Sequence, residues 1–143
     1  MGDETRGFEN PSVEERCALL KRVKTIAVVG LSPNPARPSY GVAKAMQGFG
    51  YHIIPVHPGV QEVLGAKAYA SAADVPQPID LVNVFRRAEH IDGVVEDCLR
   101  LGLKNIWIQE GIVNEAAALK ARQGGMLVVM NLCIYRDYRQ FFG

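Results

Sequence analysis

The sequence predicts an α/β fold, an open parallel sheet with helices on both faces. Three observations predict it. Five segments rich in β-branched and apolar residues, 25–29, 52–56, 80–84, 105–108 and 127–130, recur every 22 to 28 residues, an interval that leaves room for a crossover helix between consecutive strands. Each is a near-continuous apolar run, as expected of strands covered on both faces. The intervening segments place apolar residues at helical spacing. Right-handed crossovers then give a Rossmann-like, doubly wound sheet of about five parallel strands in three α/β/α layers.

The elements follow in order. Residues 1–10 carry no periodicity and read as a loose tail, leaving 11–143 as a single domain. A first helix opens at the capping box Ser12-x-x-Glu15. After strand 25–29, Val42, Ala45, Met46 and Phe49 form the stripe of a helix that begins near Ser39. Beyond strand 52–56 the chain is less regular, with 67–69 as a small extra strand and 71–75 as one helical turn. Strand 80–84 is followed by a helix carrying Ile91, Val94, Val95 and Cys98 ahead of Gly102. An alanine-rich helix over 114–123 has Asn114 as N-cap and Gly124 as its stop, and leads into strand 127–130. The closing aromatics Tyr135, Tyr138, Phe141 and Phe142 dock on the core or face a partner, and docking is the economical reading.

Composition narrows the function classes. A chain of 143 residues and 15.7 kDa suits one well-buried core. Its 48% apolar and 22% charged residues exclude a disordered or a membrane-embedded protein. With 16 basic against 15 acidic side chains, the formal charge of +1 gives no global field toward nucleic acid or an anionic membrane. Affinity for phosphate must therefore come from local placement. Short apolar runs and a charged N-terminus point to a cytoplasmic protein. Cys17, Cys98 and Cys133 lie far apart and the three histidines are scattered, so reduced thiols are expected, with neither a disulfide framework nor a metal site.

In a doubly wound sheet, ligands bind at the carboxyl ends of the strands near the switch in strand order. The segment from Gly30 to Ser39, G-L-S-P-N-P-A-R-P-S, leads into a helix start with free N–H donors. Gly30 allows close backbone approach, Ser32 and Ser39 carry hydroxyls, Arg37 supplies a planar cationic fork and Pro38 favours the entry to the helix. Against this stands a plain alternative, a proline-stiffened surface loop with a solvated Arg37. The second strand runs into His57 and Pro58, where an NAD enzyme would place an acidic residue, and G-x-G-x-x-G is missing as well. His57 is a candidate hydrogen-bond partner for ribose or phosphate, or else an ordinary surface residue.

Past the next strand, Phe85, Arg86 and Arg87 combine an aromatic ring with two cations. The competing reading packs Phe85 under a helix and turns one arginine to water. The stretch from Trp107 to Gly111 brings amide, carboxylate and glycine to the same edge through Ile108, Gln109 and Glu110, with Trp107 itself in the core. Cys133 is either a small buried thiol or one exposed to the ligand edge.

In order, G-x-S-x-x-x-x-R-P-S, I-P-V-x-P, V-F-R, W-x-Q-x-G and N-x-C resemble the stand-alone coenzyme A (CoA)-binding domain proteins, which are similar to the N-terminal CoA domain of the succinyl-CoA synthetase α subunit. The likeness spans about residues 23–138. It implies a nucleotide-binding domain holding CoA or an acyl-CoA, with the pyrophosphate at the Ser32 to Ser39 loop and Arg37 as a phosphate ligand. It further implies the adenosine part near 55–58, the middle of the cofactor near 84–86, and the pantetheine arm near 108–110. His57 departs from the family pattern, where Asn or a basic residue is common.

By the same likeness, CoA ligases follow this domain with one that carries a phosphoryl-transfer histidine. The chain stops at Gly143, so no catalytic half and no catalytic residue is expected. Separated candidates such as Cys133, His57, His90 and Glu110 do not make a nucleophile–base pair in the sequence. The expected role is non-catalytic binding, with a homo-oligomer or protein partner left open. The alternative is a small enzyme or redox sensor that uses another adenine dinucleotide such as NAD(P).

Overall fold

The computed structural model describes residues 7–143. Its elements are α1 (Val13–Arg22), β1 (Thr25–Val29), α2 (Pro38–Gly48), β2 (His52–Val56), β3 (Glu62–Val63), β4 (Ala66–Lys67), β5 (Leu81–Val84), α3 (Ile91–Arg100), β6 (Asn105–Gln109), α4 (Glu115–Gln123), β7 (Leu127–Leu132) and α5 (Ile134–Phe142). Short 3₁₀ turns occupy Ala72–Asp74 and Ala88–His90. The five long strands form one parallel sheet in the order β2-β1-β5-β6-β7. Strand order reverses between β1 and β5, which is therefore the switch point.

The parallel strands are buried on both faces, so each contributes to two cores. One face packs Ala27, Val82, Val84, Ile106, Ile108 and Val128 against α3 and α4. The other packs Ile26, Val28, Ile53, Leu81, Trp107 and Val129 against α1, α2 and α5. Alternation of side chains along a strand divides the two sets. The capping box at Ser12 and Glu15 and the Asn114 cap on Ala117 N–H form as the sequence predicts.

Strand ends differ where polar side chains intervene. Asp80 lies outside β5, because its carboxylate accepts the Lys24 and Thr25 N–H groups at 2.9 and 3.0 Å. The predicted small strand at 67–69 becomes the β3–β4 hairpin, with Tyr69 bridging Val56. Residues 134–142 form an amphipathic helix whose Tyr138 stacks on Phe49 with ring centroids 4.0 Å apart. Its Asp137 pairs with Arg16 of α1 at 2.9 Å.

Of the expected tail, residues 1–6 lie outside the described residues. Residues 8–10 are tied down. Asn10 exchanges hydrogen bonds with both the N–H and the C=O of Met130, at 2.8 and 2.9 Å, and so closes part of the β7 edge. The Arg122 guanidinium lies 4.3 Å over the Phe8 ring. Among the described residues, no helix is long and apolar enough to cross a membrane.

Candidate ligand-binding cleft

Gly30 makes the turn at the switch point possible. Its φ is +90°, and a Cβ there would run into the Phe85 carbonyl oxygen. Gly30 N–H donates to Val56 C=O at 2.8 Å, and Phe85 N–H donates to Val29 C=O at 2.8 Å. These bonds lock the ends of β2, β1 and β5 together.

The loop after Gly30 is wired by its own short side chains. Ser39 Oγ accepts Ser32 N–H at 3.0 Å, Ser32 Oγ accepts Asn34 N–H at 3.0 Å, and Asn34 Oδ1 accepts Ala36 N–H at 2.9 Å. The serines thus shape the loop, each keeping its hydroxyl proton to donate. Arg37 is the extended N-cap of α2, Pro38 sits at N1, and the first turn has neither an acidic residue nor a side-chain cap. A helix start of this kind favours an anion.

From there a cleft of about 1060 Å³ runs along the strand ends. It takes in Gly30, Ser32, Arg37, Pro38, Ser39, His57, Phe85, Arg86, Gln109 and Glu110 of the expected residues. Two expected residues stand outside it. Ile108 is fully buried among the side chains under α3 and α4, because the register of β6 turns it to that face. Pro58 is exposed one residue past the rim, where its carbonyl oxygen lies 2.7 Å from His57 Nδ1. A carbonyl can only accept, so this contact puts a proton on Nδ1 of His57, a residue that lines the cleft.

Phe85 joins both sequence-level readings, half-buried against the α2 side of the core while lining the cleft. Gln109 is 5% exposed, and its Oε1 accepts from Asn83 Nδ2 and from Ile134 N–H, both at 3.4 Å. Its carbonyl oxygen is thus committed inside the protein, and only its amide protons remain for a ligand amide. Glu110 accepts from Arg136 at 2.8 Å, and that bond holds its carboxyl below the usual range.

The cleft also holds Val42, Ala88, His90, Ile112 and Arg136, which sequence reasoning did not single out as ligand contacts, and it takes in Arg87, Gly111 and Cys133, which the sequence places at the ligand edge. Cys133 is both things the sequence left open, 8% exposed and part of the lining. Among the described residues, Arg37, Arg86 and Arg87 make no ion pair. Three uncommitted cations and an uncapped helix start therefore meet one cavity, while no group of three metal-ligating side chains occurs among the described residues.

Fold and cleft together define a doubly wound α/β domain with an arginine-fringed cleft at its switch point. The chain belongs to the CoA binding domain family, whose model matches residues 24–139. It is 49% identical over 127 residues to the uncharacterized protein YneT of Bacillus subtilis (strain 168), covering 89% of this chain and 94% of that protein. An acetate–CoA ligase (ADP-forming) of Methanocaldococcus jannaschii is 31% identical over 81 residues, which is 57% of this chain and 12% of the ligase. The solved structure of a hypothetical protein from Pyrococcus horikoshii OT3 superposes with a TM-score of 0.91 at 35% identity, covering 97% of this chain and 98% of that one. The resemblance carried by the ordered motifs holds at the level of the family.

Proposed function

We propose that the protein binds CoA or an acyl-CoA in this cleft, in the cytoplasm, and does not transform it. The observation that carries the reading is the convergence of Arg37, Arg86 and Arg87 with the uncapped start of α2 on one cavity. CoA presents a diphosphate and a further ribose phosphate, which match guanidinium forks and free N–H donors. Arg37, Ser39 N–H and Arg86 would hold the diphosphate, His57 Nε2 and the remaining arginine the ribose end, and the Gln109 to Ile112 rim the pantetheine arm. Phe85 gives the cleft an apolar wall.

The non-catalytic part rests on how the reactive groups are engaged. Glu110 is tied to Arg136 and His57 to Pro58. No hydrogen bond links any two of Cys133, His57, His90 and Glu110 among the described residues, which supports the non-catalytic reading. Thermal unfolding with added ligands tests the binding. At about 100 times its Kd, CoA stabilises by about 2.7 kcal/mol, which raises Tm by about 8 °C, while NAD(H), NADP(H) and ATP shift it far less. The opposite order supports a dinucleotide enzyme instead. Incubation with acetyl-CoA leaves the thioester intact, and turnover would refute the non-catalytic part.

A further inference from the structure

We propose that Asn131 is a positioning residue for the arm end of the cleft, an inference that rests on the CoA reading above. Asn131 lies outside the cavity and is exposed. Its place in the sheet is unusual. Ile108 of β6 pairs with Met130, yet Gln109 pairs with Leu132, so Asn131 is the extra residue of a β-bulge. Its φ is +63°, in the left-handed region where Asn is among the few side chains tolerated.

That conformation lets the carboxamide oxygen accept Gly111 N–H at 2.7 Å. Gly111, at φ +89°, is itself part of the cleft wall. The bulge also offsets the following residues. Leu132 C=O accepts Trp107 Nε1–H at 2.9 Å, and Ile134 N–H reaches Gln109 Oε1. Three bonds thus clasp the end of β6 to the β7–α5 junction, and the outermost depends on the Asn131 side chain. The start of α2 is two strands away, about 10 Å at sheet spacing, and shares none of these bonds. Loss of the clasp frees the rim at Gly111 and leaves the phosphate end in place.

Calorimetric titration of the full chain with CoA and with adenosine 3′,5′-bisphosphate, which lacks the arm, separates the two ends. Asn131→Gly keeps the backbone conformation without strain and removes the acceptor. It is expected to weaken CoA about threefold to tenfold and to leave the bisphosphate within about twofold. Asn131→Asp retains an acceptor oxygen and restores CoA affinity. Unchanged CoA affinity in Asn131→Gly, an equal loss for both ligands, or no rescue by Asp overturns the positioning role while the CoA reading stands. Wild-type protein that takes up neither ligand overturns both.

Discussion

Gly30→Ala places a large predicted effect on a small change. A non-glycine residue at φ +90° costs about 1–2 kcal/mol, before any contact is counted. The new methyl also meets the Phe85 carbonyl oxygen and lies 3.1 Å from Arg86 Cδ. The side-chain carbon of Arg86 can swing away, but the carbonyl cannot. Moving it means stretching Phe85 N–H to Val29 or Gly30 N–H to Val56, both 2.8 Å in the native turn, at about 1 kcal/mol each. Together these give a loss of about 2–4 kcal/mol, or about 10 °C in Tm. Urea denaturation followed by circular dichroism measures it, and CoA titration of the folded variant should show weaker binding because the β1 and β5 rims part. A loss below about 0.5 kcal/mol with CoA affinity intact would refute the close-packed switch point.

The remaining predictions address charge and burial. Arg37→Ala and Arg86→Ala each weaken CoA about tenfold or more, and wild-type affinity falls as salt rises; calorimetry at two salt concentrations that finds neither removes the arginines from the site. Asp137→Asn strands the largely buried Arg16 and destabilises by about 3 kcal/mol, whereas Arg16→Met with Asp137→Leu together lose less in the same urea assay; the reverse ranking contradicts the buried pair. Burial, with Asp97 adding, pushes the Cys98 thiol up to about 12, and burial, with Tyr138 adding, pushes the Tyr51 phenol up to about 12. Both groups ionise more easily when unfolded, at about 8.5 and about 10. Their stabilisation is therefore complete below about pH 8.5 and lost as pH rises toward 12. Urea midpoints across that range should fall, with a shallower slope in Cys98→Ala, and a flat profile contradicts the burial.

The sheet was legible because its signal is local in each segment. Apolar runs such as T-I-A-V-V and H-I-I-P-V announce buried strands without reference to the rest of the chain. Where a polar residue decides an end, the pattern is silent: nothing near Asp80 tells that its carboxylate caps the start of β1 rather than entering β5. Helix α5 carries a sequence signal of its own, since Ile134, Tyr138 and Phe141 recur at helical spacing. For the cleft, the residues at strand ends were legible, since a doubly wound sheet dictates where those ends converge. Ile108 was misplaced because facing depends on register, and a shift of one residue turns a side chain to the opposite face. Arg136 and Ile112 enter from neighbouring strand ends, and only the assembled sheet reveals that β6 and β7 lie side by side.

That division between local and assembled information also explains how a nearly neutral chain can favour a highly charged ligand. Exposed pairs such as Lys120 with Glu96 and Arg100 with Asp97 cancel charge within the α3–α4 face, so their fields fade over a short distance. At the switch point the cancelling carboxylates are missing: α2 has no acidic residue in its first turn, and Glu110, the cleft's own carboxylate, is held by Arg136. The uncompensated charge of Arg37, Arg86 and Arg87 is thereby concentrated where two strand ends diverge. Reversing that balance, as in Ser39→Asp, puts an anion at the start of α2 and loads the cleft with the sign it is built to attract. Such a variant keeps an acceptor for Ser32 N–H and gains from the helix dipole, at some cost for a charge at a site only 5% exposed; in the folded variant CoA affinity should fall about tenfold or more. A titration in which Ser39→Asp binds CoA as tightly as the wild type would show that the start of α2 takes no part in holding phosphate.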